Sequence, residues 1–200
     1  MYPGLVRGAA VLVGLCLTAP GQVIEFESNG LKYQTLTKRG VTVMFAYLPV
    51  HVRDFGILQV AVSNGSAGPY TIRPEDFTYQ KEDGAEVHAT PARDVVELLK
   101  EKGGHGDVIK LVTTYESALY GIPHMRLANA YEARRQAALA NSSAKLNAAA
   151  AASAIALVQT KLAPGQSTDG AVFFAAENKG FGPGRLIVRT NTDVFEFQAK

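Results

Sequence analysis

Cysteine is almost absent from this chain of 200 residues, with Cys16 the single one. Disulfide scaffolds and Cys-x-x-Cys metal sites are thereby excluded, and the fold has to stand on its hydrophobic core. Charge is scarce too. Charged residues make up 19% of the chain, the net charge is +2, and no run of Lys or Arg exceeds a pair, as in Lys38-Arg39 and Arg134-Arg135. A nucleic-acid partner calls for a denser basic footprint, so none is expected. Apolar runs long enough for a membrane are missing as well. Gly8 to Leu17 and Ala148 to Val158 fall well short of the ~20 residues a spanning helix needs.

What is present begins with an export pattern. Arg7 closes a short n-region, the apolar run Gly8–Leu17 follows, and Ala19-Pro20-Gly21 offers a small-residue exit before Gln22. The expectation is a signal peptide over residues 1–21 and a secreted or periplasmic protein. Cys16 lies inside that segment, with Leu15 where a lipoprotein signal wants a small residue. Membrane association through a lipid on Cys16 is therefore the alternative, and cleavage after Gly21 leaves a mature chain without cysteine.

The chain is organised around Phe55–His88. Leu58, Val60 and Val62 alternate with Gln59, Ala61 and Ser63, the period-two pattern of a half-buried strand. Asn64-Gly65 and Gly68-Pro69 turn the chain, Phe77 and Tyr79 restart the alternation, and Glu82-Asp83-Gly84 turns it again. Upstream, Val23–Phe26, Leu31–Leu36 and Val41–Leu48 read as strands, separated by Ser28-Asn29-Gly30 and Lys38-Arg39-Gly40. Val41–Leu48 is apolar on both faces, which calls for a central position or a cover over its outer side. Downstream, Gly170–Ala175, Arg185–Arg189 and Val194–Gln198 read as strands again.

Between these parts the character is helical. Thr90-Pro91 reads as a capped helix start, with Val95, Val96, Leu98 and Leu99 as its stripe. Gly103-Gly104-His105-Gly106 breaks it, Asp107 caps a second helix, and a helix-favouring tract runs from His124 to Leu162. Residues 22–90 and 163–200 together hold about 107 residues, close to the roughly 100 of an immunoglobulin-type sandwich. The expected architecture is mainly β, an antiparallel immunoglobulin-like sandwich built from those two parts, with residues 91–162 as a helical insertion. The run Val60-Ala-Val-Ser-Asn64, the turn Ile72-Arg-Pro-Glu-Asp-Phe77 with Asp83-Gly84, and Leu162-Ala-Pro-Gly-Gln-Ser-Thr-Asp-Gly-Ala-Val-Phe-Phe174 together resemble the immunoglobulin-like domains of unknown function on bacterial secreted proteins and lipoproteins. That resemblance covers the strand-bearing parts, implies their fold, and brings no catalytic residue with it.

Residues that carry chemistry are dispersed. His51, His88, His105 and His124 stand alone, without His-x-His spacing. Gly103-Gly-His-Gly-Asp107 follows a helix rather than a strand and lacks the Gly-Lys-Ser/Thr ending of a phosphate loop. Asp54, Glu75, Asp76, Glu82 and Asp83 sit at strand ends, where carboxylates cap turns, and no loop has the Asp-x-Asp-x-Asp spacing of a calcium site. No Gly-x-Ser-x-Gly elbow is present. No catalytic, cofactor-binding or metal residue is nominated, and no cofactor. The functional expectation is a non-enzymatic binding module with a protein partner, either an envelope protein or a second copy. The alternative is an assembly protein that associates through its Ala-rich helices.

Overall fold

The computed structural model describes residues 21–120, 131–140, 143–176 and 181–199. The expected export signal, Cys16 and His124 lie outside the described residues.

The chain starts as a meander of β1 (Ile24–Ser28), β2 (Leu31–Lys38), β3 (Val41–Val52) and β4 (Phe55–Asn64), paired antiparallel in chain order. Its first two turns are tight. Asn29 and Gly30 have φ of 51° and 73°, and Arg39 and Gly40 have 47° and 81°. Two left-handed residues in a row give a two-residue hairpin the twist of its strands, and Asn-Gly adopts them at little cost. Next come β5 (Tyr70–Ile72), a 3-10 turn (Pro74–Asp76), β6 (Phe77–Lys81) and β7 (Glu86–Thr90). Helices α1 (Ala92–Lys102), α2 (His105–Tyr120), α3 (Tyr131–Leu139) and α4 (Ala144–Ile155) follow, then β8 (Thr160–Leu162), β9 (Ser167–Ala175), β10 (Gly184–Arg189) and β11 (Val194–Ala199). Thr90, expected to cap the first helix, is instead the last residue of β7. The cap position is Pro91, whose carbonyl accepts from Asp94 N at 2.9 Å.

Nine strands form one sheet in the order β1-β2-β3-β4-β9-β7-β6-β10-β11, while β5 pairs with β8 apart from it. The sheet curls until β11 meets β2. Gln34 Nε2 donates to Gln198 O at 2.8 Å, Lys38 Nζ donates to Val194 O at 2.5 Å, and Arg39 pairs with Asp193 at 3.5 Å. The protein is thus mainly β, an antiparallel and strongly curled sheet with helices added. The two separate sheets of an immunoglobulin-type sandwich are not shown. Alternation in sequence says that a strand has a buried face. It reads the same whether that face looks at a second sheet or at the far half of its own.

Both faces of the sheet are covered. Inside the curl lie Val43, Phe45, Leu58, Val60, Val62, Phe77, Phe174, Leu186, Val188 and Phe197. On the outside, Ala46, Leu48, Ile57 and Phe173 share one core with Val95 and Leu99 of α1, Leu111 and Tyr115 of α2, and the alanines of α4. β4 is therefore buried on both sides rather than half-buried. Gln59 and Ala61, on its outer face, are 0% and 2% exposed.

The helix-favouring tract expected to reach Leu162 stops at Ile155. Beyond it, Leu157 N donates to Ala171 O at 2.9 Å and the Leu157 side chain enters the inner core. The chain crosses β9 at Gly170, where an added Cβ would lie 2.4 Å from Leu157 Cα. Only glycine lets two backbones come that close. Thr160–Leu162 then pairs with Tyr70–Ile72 as β8 and β5, with Leu162 fully buried.

Candidate functional site

The sheet has two edges, and they are finished differently. β11 is met by side chains of β2, one strand in from the opposite edge. Among the described residues β1 has no such cover: Ile24 is 60% and Phe26 39% exposed, and Glu25 and Glu27 are exposed as well. Register puts Glu25 opposite Gln34 and Glu27 opposite Lys32 on one face, and Phe26 opposite Tyr33 on the other. The Phe26 and Tyr33 rings stack at 5.1 Å and 9°, and Tyr33 Oη donates to Ala118 O of α2 at 2.8 Å.

A groove of about 330 Å³ opens beside this edge, lined by Glu25, Phe26, Glu27, Lys32, Tyr33, Gln34, Phe45 and Tyr47. Its aromatic wall is braced from behind. Tyr47 meets Phe45 edge-on at 5.3 Å and Phe181 at 5.0 Å, and Phe45 meets Phe197 at 4.9 Å. Gln34 Nε2 is occupied by Glu25 Oε1 at 2.9 Å and by Gln198 O. Gln34 Oε1 and Tyr47 Oη are buried without a hydrogen-bond partner among the described residues. Burial, helped by the neighbouring Tyr79 phenol, pushes the Tyr47 pKa up, so its hydroxyl stays protonated. Two carboxylates against one ammonium make the groove net negative and rich in acceptors. Its lining among the described residues holds no serine, cysteine or histidine.

A second polar cluster lies between sheet and helices. Asp169, 1% exposed, accepts from Tyr115 Oη and, at 3.2 Å, from Gln59 Nε2. Burial first, and the Asp169 charge second, push the Tyr115 phenol up. This cluster ties β4, β9 and α2 together and does not line the groove. Sequence reasoning missed both clusters. The one signal for Asp169 was a carboxylate directly before the apolar run of a strand. Nothing in sequence marks Gln34 or Tyr47, whose roles depend on how the sheet curls.

The residues singled out in sequence do not converge. His51 is in β3, and its carbonyl accepts from Lys110 Nζ at 3.3 Å. His88 Nδ1 lies 3.2 Å from Thr78 Oγ1 in the β6–β7 hairpin, and His105 opens α2 on the surface. Gly103 and Gly104 connect α1 to α2, and Asp107 lies in the first turn of α2. Asp107 Oδ2 there accepts from Gly104 N at 2.9 Å and Arg53 Nη2 at 2.7 Å, tying the β3–β4 turn to the helices. Asp76 accepts from Arg73 N and Asp83 from Ala85 N, both at 2.9 Å, as turn caps. Among the described residues no three His, Cys, Asp or Glu are grouped to hold a metal ion, and no helix is long and apolar enough to cross a membrane.

No protein-family model matches the chain, and no curated protein matches it. Among solved structures it is weakly similar to the yjhA protein from Bacillus subtilis, at 10% identity and a TM-score of 0.37, over 88% of this chain and 96% of that one. A likeness this slight carries no argument about what the protein does.

Proposed function

We propose that the protein is a non-enzymatic binding module, exported from the cytoplasm, that holds its ligand in the groove beside β1. One observation carries this reading: Gln34 Oε1 and Tyr47 Oη, buried and without a partner among the described residues, belong to two side chains that line the same aromatic-walled groove. Leaving a polar group buried and unpaired costs roughly 1–3 kcal/mol, which a ligand recovers when the two side chains turn to meet it. Export rests on the pattern of residues 1–21, and mass spectrometry of the native protein is expected to find an N-terminus near Gln22. An immunoglobulin-like kinship belongs to the same proposal, supported by the way the two halves of the curled sheet face each other across Phe45 and Phe197. Docking through the Ala-rich helices has less support. Ala148, Ala149, Ala151, Ala152, Ala154 and Ile155 of α4 are buried within the chain's own core.

The test is a titration of isotope-labelled protein with small amines, sugars and carboxylates, followed through backbone amide resonances. Saturable shifts confined to residues 25–34 and 45–47 are expected for at least one class. Tyr47→Phe keeps the ring, removes the unpartnered hydroxyl and weakens that binding without lowering the melting temperature. Saturable shifts nowhere in the groove with any class would overturn the proposal.

A further inference from the structure

We propose that the free edge of β1 is a strand-addition site for an extended peptide segment in which lysine or arginine alternates with apolar residues. The inference rests on the reading of the neighbouring groove as a binding site and names the partner it would take. Among the described residues, no backbone group of Ile24–Ser28 is hydrogen-bonded outside its ladder with β2. An exposed edge of this kind is a template for another strand, which proteins usually blunt with lysine, proline or a bulge. β1 reads Ile-Glu-Phe-Glu-Ser: it lacks all three, and its two glutamates guard the edge against like-charged strands while leaving it open to a basic one.

The two faces of β1 specify the incoming side chains. Residues of an added strand stand directly opposite those of β1, about 5 Å away, where opposite charges attract and like charges repel. Positions facing Glu25 and Glu27 therefore favour basic residues, and positions facing Ile24 and Phe26 favour apolar ones. The basic side chains fall on the groove side. Their apolar stems fit against Phe45 and Tyr47, and their cationic heads meet the Glu25 and Glu27 carboxylates.

A second copy of the chain does not fit. In antiparallel self-pairing centred on Phe26, Glu25 faces Glu27 twice. Centred on Glu25 or Glu27, that carboxylate faces its own copy. Registers shifted by one place a carboxylate opposite Phe26 or Ile24. Every arrangement wastes either charge or apolar area.

The experiment uses the full mature chain and a short blocked peptide alternating lysine and valine. Saturable binding is expected, with slowed hydrogen exchange at the β1 amides and an affinity that falls as salt rises. Binding is expected to drop about tenfold or more in three cases: a glutamate–valine peptide, a lysine–valine peptide N-methylated along its pairing edge, and the Glu25→Lys/Glu27→Lys protein. Circular dichroism of that variant should match the wild type, because both carboxylates are exposed. Equal binding of the lysine and glutamate peptides, or binding indifferent to N-methylation, overturns the proposal. No binding of the lysine peptide also overturns it, and small-molecule shifts in the groove would then leave the broader binding reading standing. If neither peptide nor small molecule binds, both readings fall.

Discussion

The two faces of the curled sheet are closed by opposite means. The inner face is filled by large side chains, with Phe45, Phe77, Phe174, Phe195 and Phe197 almost wholly buried. The outer face is covered by helices that pack on one another through small side chains, since α4 brings alanine after alanine against its neighbouring helices. Large residues bury much area and hold by bulk. Alanines bury little and hold by letting backbones approach. The inner face should therefore fail when side chains are truncated or charged, and the outer face when they are enlarged.

The harshest break is Val60→Asp, which places an unpaired carboxylate in the inner core at a residue that is 0% exposed. A cost of several kcal/mol is expected, comparable to the whole stability of a small domain, so cooperative melting should disappear. Phe174→Ala empties the same core more gently, and about 3–5 kcal/mol should be lost in denaturant titration. On the outer face Ala152→Leu adds bulk where there is no room and should cost about 1–3 kcal/mol. Should Ala152→Leu prove neutral or stabilising, close approach is not what holds that face. Tyr115→Phe removes a donor to buried Asp169, and a loss of about 1–3 kcal/mol is expected, seen as a lower melting temperature.

The mildest probe is alkali. Burial raises the phenol pKa of Tyr33 and Tyr115 on the outer side and of Tyr47, Tyr70 and Tyr79 elsewhere in the fold. In the unfolded chain these phenols lose their protons near pH 10, while the folded chain keeps them. The unfolded state then binds fewer protons than the folded one, so stability falls as pH rises above about 10. Tyrosinate absorbance from these residues should appear together with unfolding, and its appearance in a still-folded chain would show that the phenols are solvated in the native state.

Strands were legible in the sequence because their signals are local. Asn29-Gly30 and Arg39-Gly40 mark turns, and Val41 to Leu48 shows by composition alone that both its faces need cover. The closure of the sheet was not legible. It depends on β11 reaching β2 through Gln34 and Lys38, contacts made more than a hundred and fifty positions apart. The exit of α4 was hidden for a different reason. Alanine favours helix wherever it stands, and what stops the helix is the meeting of Leu157 with Gly170 and Ala171. The groove was invisible for both reasons together: Gln34 and Tyr47 are ordinary strand residues until the curl leaves two of their oxygens without partners.

One consequence of the strand order concerns the time course of synthesis. β9 sits between β4 and β7, so the middle of the sheet is made only after all four described helices have been made. Until Ser167–Ala175 emerges, the strands on either side of it are two ladders without a seam, each with an unpaired edge open to solvent. A nascent chain halted before that point is an aggregation-prone half-product rather than a smaller domain. The late strand acts as the fastener, and a stall or nonsense codon upstream of it should yield insoluble fragments even though most of the strands are already present.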